Sequence, residues 1–257
     1  YNCSDKDIDP KKIIENIIKL QDRRGPDDRG TWESECKKII FGHNRLSIID
    51  LTDKARQPLI SKDNNLVITF NGEIYNYKQI RNELSQNKVT FKSNSDTEVI
   101  LESYKYWGIE FVKKLRGMFA FAIWDNIKKK LILVRDPFGI KPLYYLKKNN
   151  ILFFASQLKS ILSIDNLSFE KSGRSVLDYY LWGNIQEPFT LYKDIYSLER
   201  GTVKIFDSKF NETSYEYANL KDAIIKSKKT YFKNESELNE KLNYLIKDTV
   251  NYHQVSD

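Results

Sequence analysis

The chain has 257 residues, 40% hydrophobic and 13% aromatic, enough for one large domain or one and a fraction with a substantial core. Its net charge of +7 does not read as nucleic-acid binding: the lysines are dispersed, the clusters at 128–130 and 226–229 fall where turns or linkers are expected, and the aromatics do not interleave with basic residues. No apolar run is long enough for a bilayer and no signal-peptide pattern opens the chain, so a cytoplasmic protein with no membrane partner is expected; two cysteines without a Cys-x-x-Cys pair, and two histidines, argue against a disulfide framework or a metal centre.

Asp9 and Pro10 read as the cap and first position of a helix carried by Ile13, Ile14, Ile17, Ile18 and Gln21. The polar stretch 23–35 reads as a loop, with Cys36 in its continuation, and short strands then alternate with turns up to Phe70. Helices are expected over 77–85 and 96–107, the second with Val99, Ile100 and Tyr104 on its apolar face. Residues 119–124 and 131–134 read as paired strands, as do 143–146 and 151–154. Short helices are expected over 157–164 and 175–182, and strands over 203–206 and 213–217. The Lys- and Asn-rich stretch 219–234 reads as a domain junction, followed by an amphipathic helix over 236–252 with Leu238, Leu242, Leu245 and Val250 on one side. Antiparallel hairpins with helices grouped between them make the class α+β.

Four segments carry chemistry. Residues 66–70 form an apolar strand that runs into Asn71-Gly72-Glu73, which sets a side-chain amide, a bare backbone N–H and a carboxylate side by side. An ordinary Asn-Gly hairpin turn would give the same pattern. Arg45, at the mouth of the apolar stretch 46–49, could clamp a carboxylate in bidentate fashion, although a surface ion pair is the commoner fate of an arginine. Ser95 or Asp96 starts the helix over 96–107, so Asp96 has a capping role open to it. In the stretch 135–145, Pro137, Gly139 and Pro142 fix a rigid loop between two strand-like runs.

With Arg24 to Asp28 and Gly117 to Ala122, these segments resemble, in order, the glutaminase half of glutamine-hydrolysing asparagine synthetases and other class II glutamine amidotransferases. Arg45-Leu46-Ser47-Ile48 and the run from Asn71 to Asn76 point to the asparagine-synthetase branch. The resemblance implies the four-layer αββα sandwich of the N-terminal-nucleophile hydrolases. It implies that Arg45 holds the α-carboxylate of L-glutamine, with Leu46, Ser47, Ile48 and Ile49 along the same wall. Glu73 and Asp96 would take the α-ammonium group. Asn71 and Gly72 would form the oxyanion hole. Arg23, where relatives carry His, and Gln157, where a Glu is expected, depart from the pattern without touching these positions.

The family nucleophile is a cysteine that becomes the first residue, its own α-amino group acting as base. Neither Cys3, followed by a polar turn, nor Cys36 stands in that place, so the nucleophile is expected on a central strand ahead of Tyr1. The alternative is a glutamine-binding regulatory or structural domain that has lost catalysis. The implied organisation is a glutaminase domain over 1–217, then a linker and the first helix of a synthetase domain over 218–257. No cofactor is expected in this chain; ATP and Mg²⁺ belong to the synthetase domain, which would pass ammonia to a carboxylate, aspartate being the expected acceptor. A homodimer is left open.

Overall fold

The structure, a computed structural model, describes residues 9–148, 150–165, 167–228, 231–232 and 234–254; the expectation placed on Cys3 lies outside them. Helix α1 (Pro10–Leu20) starts as its sequence requires, the Asp9 carboxylate accepting the N–H groups of Lys11 at 3.0 Å and Lys12 at 3.4 Å. The stretch 23–35 is not all loop. It contains β1 (Asp28–Glu33), which pairs antiparallel with β2 (Ile40–Arg45) from Asp28 opposite Arg45 to Glu33 opposite Ile40. None of the β1 side chains is fully buried, so the strand lacks the apolar alternation that would mark it in sequence.

The central sheet has six strands in the order β11 (Glu212–Glu216), β10 (Thr202–Phe206), β6 (Lys130–Arg135), β5 (Gly117–Asp125), β4 (Leu66–Ile74) and β3 (Leu59–Ile60). A second, three-stranded sheet has the order β8 (Ile151–Ala155), β7 (Tyr144–Lys148), β9 (Ile195–Ser197). β9 is a strand that sequence reading passed over. The helices are α2 (Tyr77–Gln86), α3 (Asp96–Trp107), α4 (Leu158–Leu162), α5 (Gly173–Trp182), α6 (Leu220–Ser227) and α7 (Glu235–His253). The expected junction over 219–234 thus contains a helix, α6, whose first turn is capped by the Asn219 side chain, an acceptor from Lys221 N at 2.8 Å.

Side-chain alternation along the central strands builds the layers. Leu66, Ile68 and Phe70 of β4 and Phe119, Phe121 and Ile123 of β5 face one way, into a core shared with Ile80, Leu84, Ile100 and Leu101 of α2 and α3. Val67, Ala120, Ala122 and Leu133 face the other way, against Phe41 of β2 and Tyr145 of β7. Behind β7 and β8, Leu146 and Ala155 pack on Ile161 of α4, with Ile13 and Ile17 of α1 against the same cluster. Helices, sheet, sheet, helices: this is the expected αββα sandwich.

Between the two sheets lies a cavity of about 560 Å³, bounded by Phe41 on β2, Phe153 on β8, Ile14 on α1 and Ala122 on β5. β2 and β8 are both edge strands among the described residues, and they face each other across this cavity.

Candidate active site

Asn71, Gly72 and Glu73 do not form a turn. They lie inside β4, which pairs with β5 without interruption from Leu66 opposite Asp125 to Ile74 opposite Gly117. The local preference of Asn-Gly for reversal is overridden by a long ladder, and Gly72 serves another purpose. Its φ is +152°, and a Cβ there would sit 2.1 Å from the Met118 carbonyl oxygen. Only glycine permits this approach of the two strands.

The ladder also fixes where the Gly72 N–H points. The Asp136 N–H donates to the Phe119 carbonyl at 2.8 Å and the Phe119 N–H donates to the Asp136 carboxylate at 3.2 Å, so the main-chain groups of Phe119 are engaged on the β6 side. Gly72, opposite Phe119, is then a non-hydrogen-bonded rung, with its N–H turned to the edge of β4 away from β5. The neighbouring N–H groups on that edge confirm the alternation. Phe70 N–H donates to Gln57 Oε1 at 2.6 Å and Ile74 N–H to Asp96 Oδ2 at 3.0 Å. The side chains of Asn71 and Glu73, two apart, share the face turned toward the second sheet, and Asn71 lines the cavity.

Arg45 closes β2 and is almost wholly buried. The stretch 46–49 that follows is an irregular loop rather than the apolar strand expected, with Leu46 exposed. The guanidinium holds that loop: it donates to Thr52 O at 3.2 Å, to Ile49 O at 3.5 Å and, closely, to Asp50 O. An arginine has five N–H groups, so about two remain for any other partner. Ser47 N–H donates to Asp27 Oδ2 at 2.7 Å and fixes the loop from its other side.

Asp96 is the first residue of α3, and it is Ser95 that caps the helix, its hydroxyl accepting Glu98 N–H at 3.2 Å. Asp96 is therefore released from capping and turned onto β4. Burial, with Glu73 nearby as a further contributor, pushes its carboxyl up to about 6. Its carboxylate accepts the N–H of Ile74, the residue after Glu73, and this bond brings the two sequence segments together.

Asp50 was not singled out by its sequence, yet it ties the parts together. Its carboxylate accepts the Asn94 N–H at 2.6 Å and the Thr52 hydroxyl at 2.6 Å. Burial pushes its carboxyl up, but the Thr52 and Asn94 donors outweigh this and hold it below the ordinary carboxylate range. A continuous set of bonds thus runs from Arg45 through Asp50 to the start of α3, and from Asp96 to Ile74. The Arg45, Asn71, Glu73 and Asp96 side chains and the Gly72 backbone belong to this network or to the strand it ends on. Gln57, which holds Phe70 N–H, and His43, whose Nε2 lies 3.0 Å from Phe70 O, were also missed. Burial holds His43 down at about 4, so it is neutral near pH 7. Cys36, in the loop before β2, is exposed, and its thiol contacts Ser34 Oγ at 3.4 Å.

A family model described as a glutamine amidotransferase domain matches residues 1–236. The chain is 37% identical over 97% of its length to asparagine synthetase [glutamine-hydrolyzing] 1 of Bacillus subtilis, of which it covers 38%. It is 36% identical over 83% of its length to asparagine synthetase [glutamine-hydrolyzing] 2 of the same organism, of which it covers 29%. The chain therefore spans well under half the length of these relatives. Among solved structures, glutamine phosphoribosylpyrophosphate amidotransferase of B. subtilis superposes with a TM-score of 0.50 at 22% identity, covering 70% of this chain and 35% of that one, which supports the fold. By its sequence and its layered architecture, the chain belongs to the glutamine amidotransferase domain family.

Proposed function

We propose that this domain binds L-glutamine and hydrolyses its side-chain amide to glutamate and ammonia, as the ammonia-supplying half of an asparagine synthetase-like protein. Glu73 and Asp96 receive the α-ammonium group, and Arg45 with the 46–49 wall receives the α-carboxylate. Asn71 and the Gly72 N–H stand where negative charge develops on the amide oxygen. The observation that carries the reading is the Gly72 N–H: it points to the edge where its neighbours on either side are already taken by Gln57 and Asp96. Such a donor, fixed before the reaction, stabilises the tetrahedral intermediate without reorganisation.

The nucleophile in this proposal is the thiol of an N-terminal cysteine on an extended segment lying between β2 and β8. What supports it is that both strands present edges to the same cavity, which reaches Asn71. A strand there would join β1-β2 to β8-β7-β9 and satisfy backbone groups that apolar walls could not. The thiolate attacks the amide carbon, the oxyanion is held by Asn71 and Gly72, and the nitrogen leaves as ammonia after taking the proton from the thiol by way of the α-amino group. Water then releases glutamate. Transfer of the ammonia to an activated carboxylate, with aspartate as acceptor, is assigned to a further domain, as are ATP and Mg²⁺; residues 218–257 form the approach to that domain.

The test is glutamate release by the protein carrying its native N-terminus. Activity should vanish when the terminal cysteine becomes Ala. Asn71→Ala should lower kcat by about 10²–10³-fold while leaving KM nearly unchanged. Glutamine binding without turnover in the intact protein would overturn the catalytic reading.

A further inference from the structure

We infer that the last turns of α7 position the ammonium side of the pocket, acting through Arg116 and Tyr75. This rests on the assignment of Glu73 to the ammonium group.

Arg116 immediately precedes β5, and its carbonyl accepts the Tyr75 N–H at 2.8 Å, one rung beyond the end of β4. Its own N–H donates to Asn76 Oδ1 at 2.9 Å, and Asn76 Nδ2 donates to Lys114 O at 2.9 Å. The segment leaving Glu73 is thus clasped to the segment entering β5. Three side chains of α7 close on that clasp. Asp248 pairs with the Arg116 guanidinium at 2.9 Å, Tyr252 lies beneath the same guanidinium with 4.4 Å to its ring centroid, and its hydroxyl meets Gln79 Nε2 at 2.5 Å. The His253 ring lies 4.4 Å from the Tyr75 ring. Burial first, and then the carboxylates of Glu73 and Asp136, raise the Tyr75 hydroxyl above the usual range.

Everything else about α7 makes these contacts conspicuous. Its apolar residues Leu238, Leu242, Leu245, Ile246 and Val250 are all exposed, so the helix is not held by a buried stripe. It is held at its C-terminal end, by polar and aromatic contacts, onto Tyr75, the second residue after Glu73, onto Arg116 opposite it and onto Gln79. A shift of α7 moves the Tyr75–Arg116 rung, and Glu73 is two residues along a strand that transmits the movement. The effect on glutamine affinity is limited to the strength of the latch, because a ligand's affinity changes only by its differential preference for the held and released states.

The 257-residue chain carrying Asp248→Ala with Tyr252→Ala tests this, with the pair Arg116→Asp and Asp248→Arg as the rescue. Amide hydrogen exchange and L-glutamine calorimetry are the two readouts. In the double variant, Tyr75 N–H should exchange roughly ten-fold faster and glutamine should bind up to about ten-fold more weakly. Phe70 N–H, held by Gln57 at the far end of the segment, should be unchanged, and the charge-swapped pair should recover most of both effects. Unchanged Tyr75 exchange would overturn the inference, and so would faster exchange with unchanged glutamine affinity. If the wild-type chain bound no glutamine, the pocket assignment would fall, and exchange at Tyr75 would decide whether α7 holds the strand.

Discussion

Asp96→Asn should make the ligand-free protein more stable and the glutamine complex weaker. The Asp96 carboxyl lies at about 6 in the fold against an ordinary 3.8, chiefly because burial disfavours its charge. At roughly 1.4 kcal/mol per pH unit, that interval is worth about 3 kcal/mol, an upper figure for one buried carboxylate. The folded protein binds more protons here than the unfolded chain between 3.8 and about 6. This residue therefore weakens the fold progressively as pH rises through that interval, and its full cost is present above it. An asparagine keeps an oxygen for the Ile74 N–H and removes the charge. The variant should gain up to about 3 kcal/mol at pH 7, or roughly 6–12 °C in melting temperature, and the gain should vanish near pH 4. The comparison must be between variant and wild type at each pH, because His43 works in the opposite sense. Held at about 4 from an ordinary 6.5, it contributes stability above 6.5 that is lost as pH falls toward 4. Loss of a charged partner for the ammonium group should weaken glutamine binding by about 10–100-fold. Thermal melts from pH 4 to 8 with calorimetry at pH 7.5 read both effects. A variant that melted at or below the wild type at pH 7 would refute the electrostatic reasoning, and one that bound glutamine normally would refute the role of Asp96.

Three further outcomes are expected. Gly72→Ala should cost about 3–5 kcal/mol, since a Cβ 2.1 Å from Met118 O must force apart the β4–β5 ladder at a φ unsuited to alanine; a melting temperature within about 3 °C of wild type would show that the strands yield there. Gln57→Leu leaves the Phe70 N–H without its 2.6 Å acceptor and should cost about 1–3 kcal/mol by denaturant titration, whereas an unchanged midpoint would mean that the strand edge reaches water. Arg45→Ala should lose glutamine binding and also loosen the 46–52 loop, whose three carbonyls it holds. Proteolysis of that loop should therefore accelerate, and unchanged cleavage would show that the loop stands without Arg45.

The parts of the fold that could be read from sequence are those carried by apolar runs buried on both faces, or by apolar residues at helical spacing. β4, β5 and β6 announce themselves through Ile68, Phe121 and Leu133, and α3 begins where Ser95 can cap it. β1 could not be read because its six residues are only half-buried or exposed, so no apolar run separates it from loop. The Asn-Gly pair poses the opposite difficulty: a strong local turn signal lies within a ladder whose other strand is more than forty residues away, and pairing with β5 decides its conformation. The residues of the proposed site stand out as chemistry, through the neighbouring amide, N–H and carboxylate at 71–73. Their support does not. Asp50 and Gln57 look like ordinary loop residues until the fold brings Asn94 and Phe70 to them, and the Arg45 carbonyl contacts depend on a loop shape that no local pattern encodes.

The arrangement of one cation and two carboxylates around uncharged donors is best interrogated with glutamine itself and two trimmed relatives. Calorimetric titration at pH 7.5 should compare L-glutamine, its α-carboxamide and its deaminated form, which keep the side-chain amide and each lack one charged end. Each modified compound should bind at least about ten-fold more weakly than L-glutamine, because each leaves one buried charged group without its counterpart. Equal affinity for all three would mean that Arg45, Glu73 and Asp96 do not grip the two ends of the amino acid, and the proposed site would be wrong.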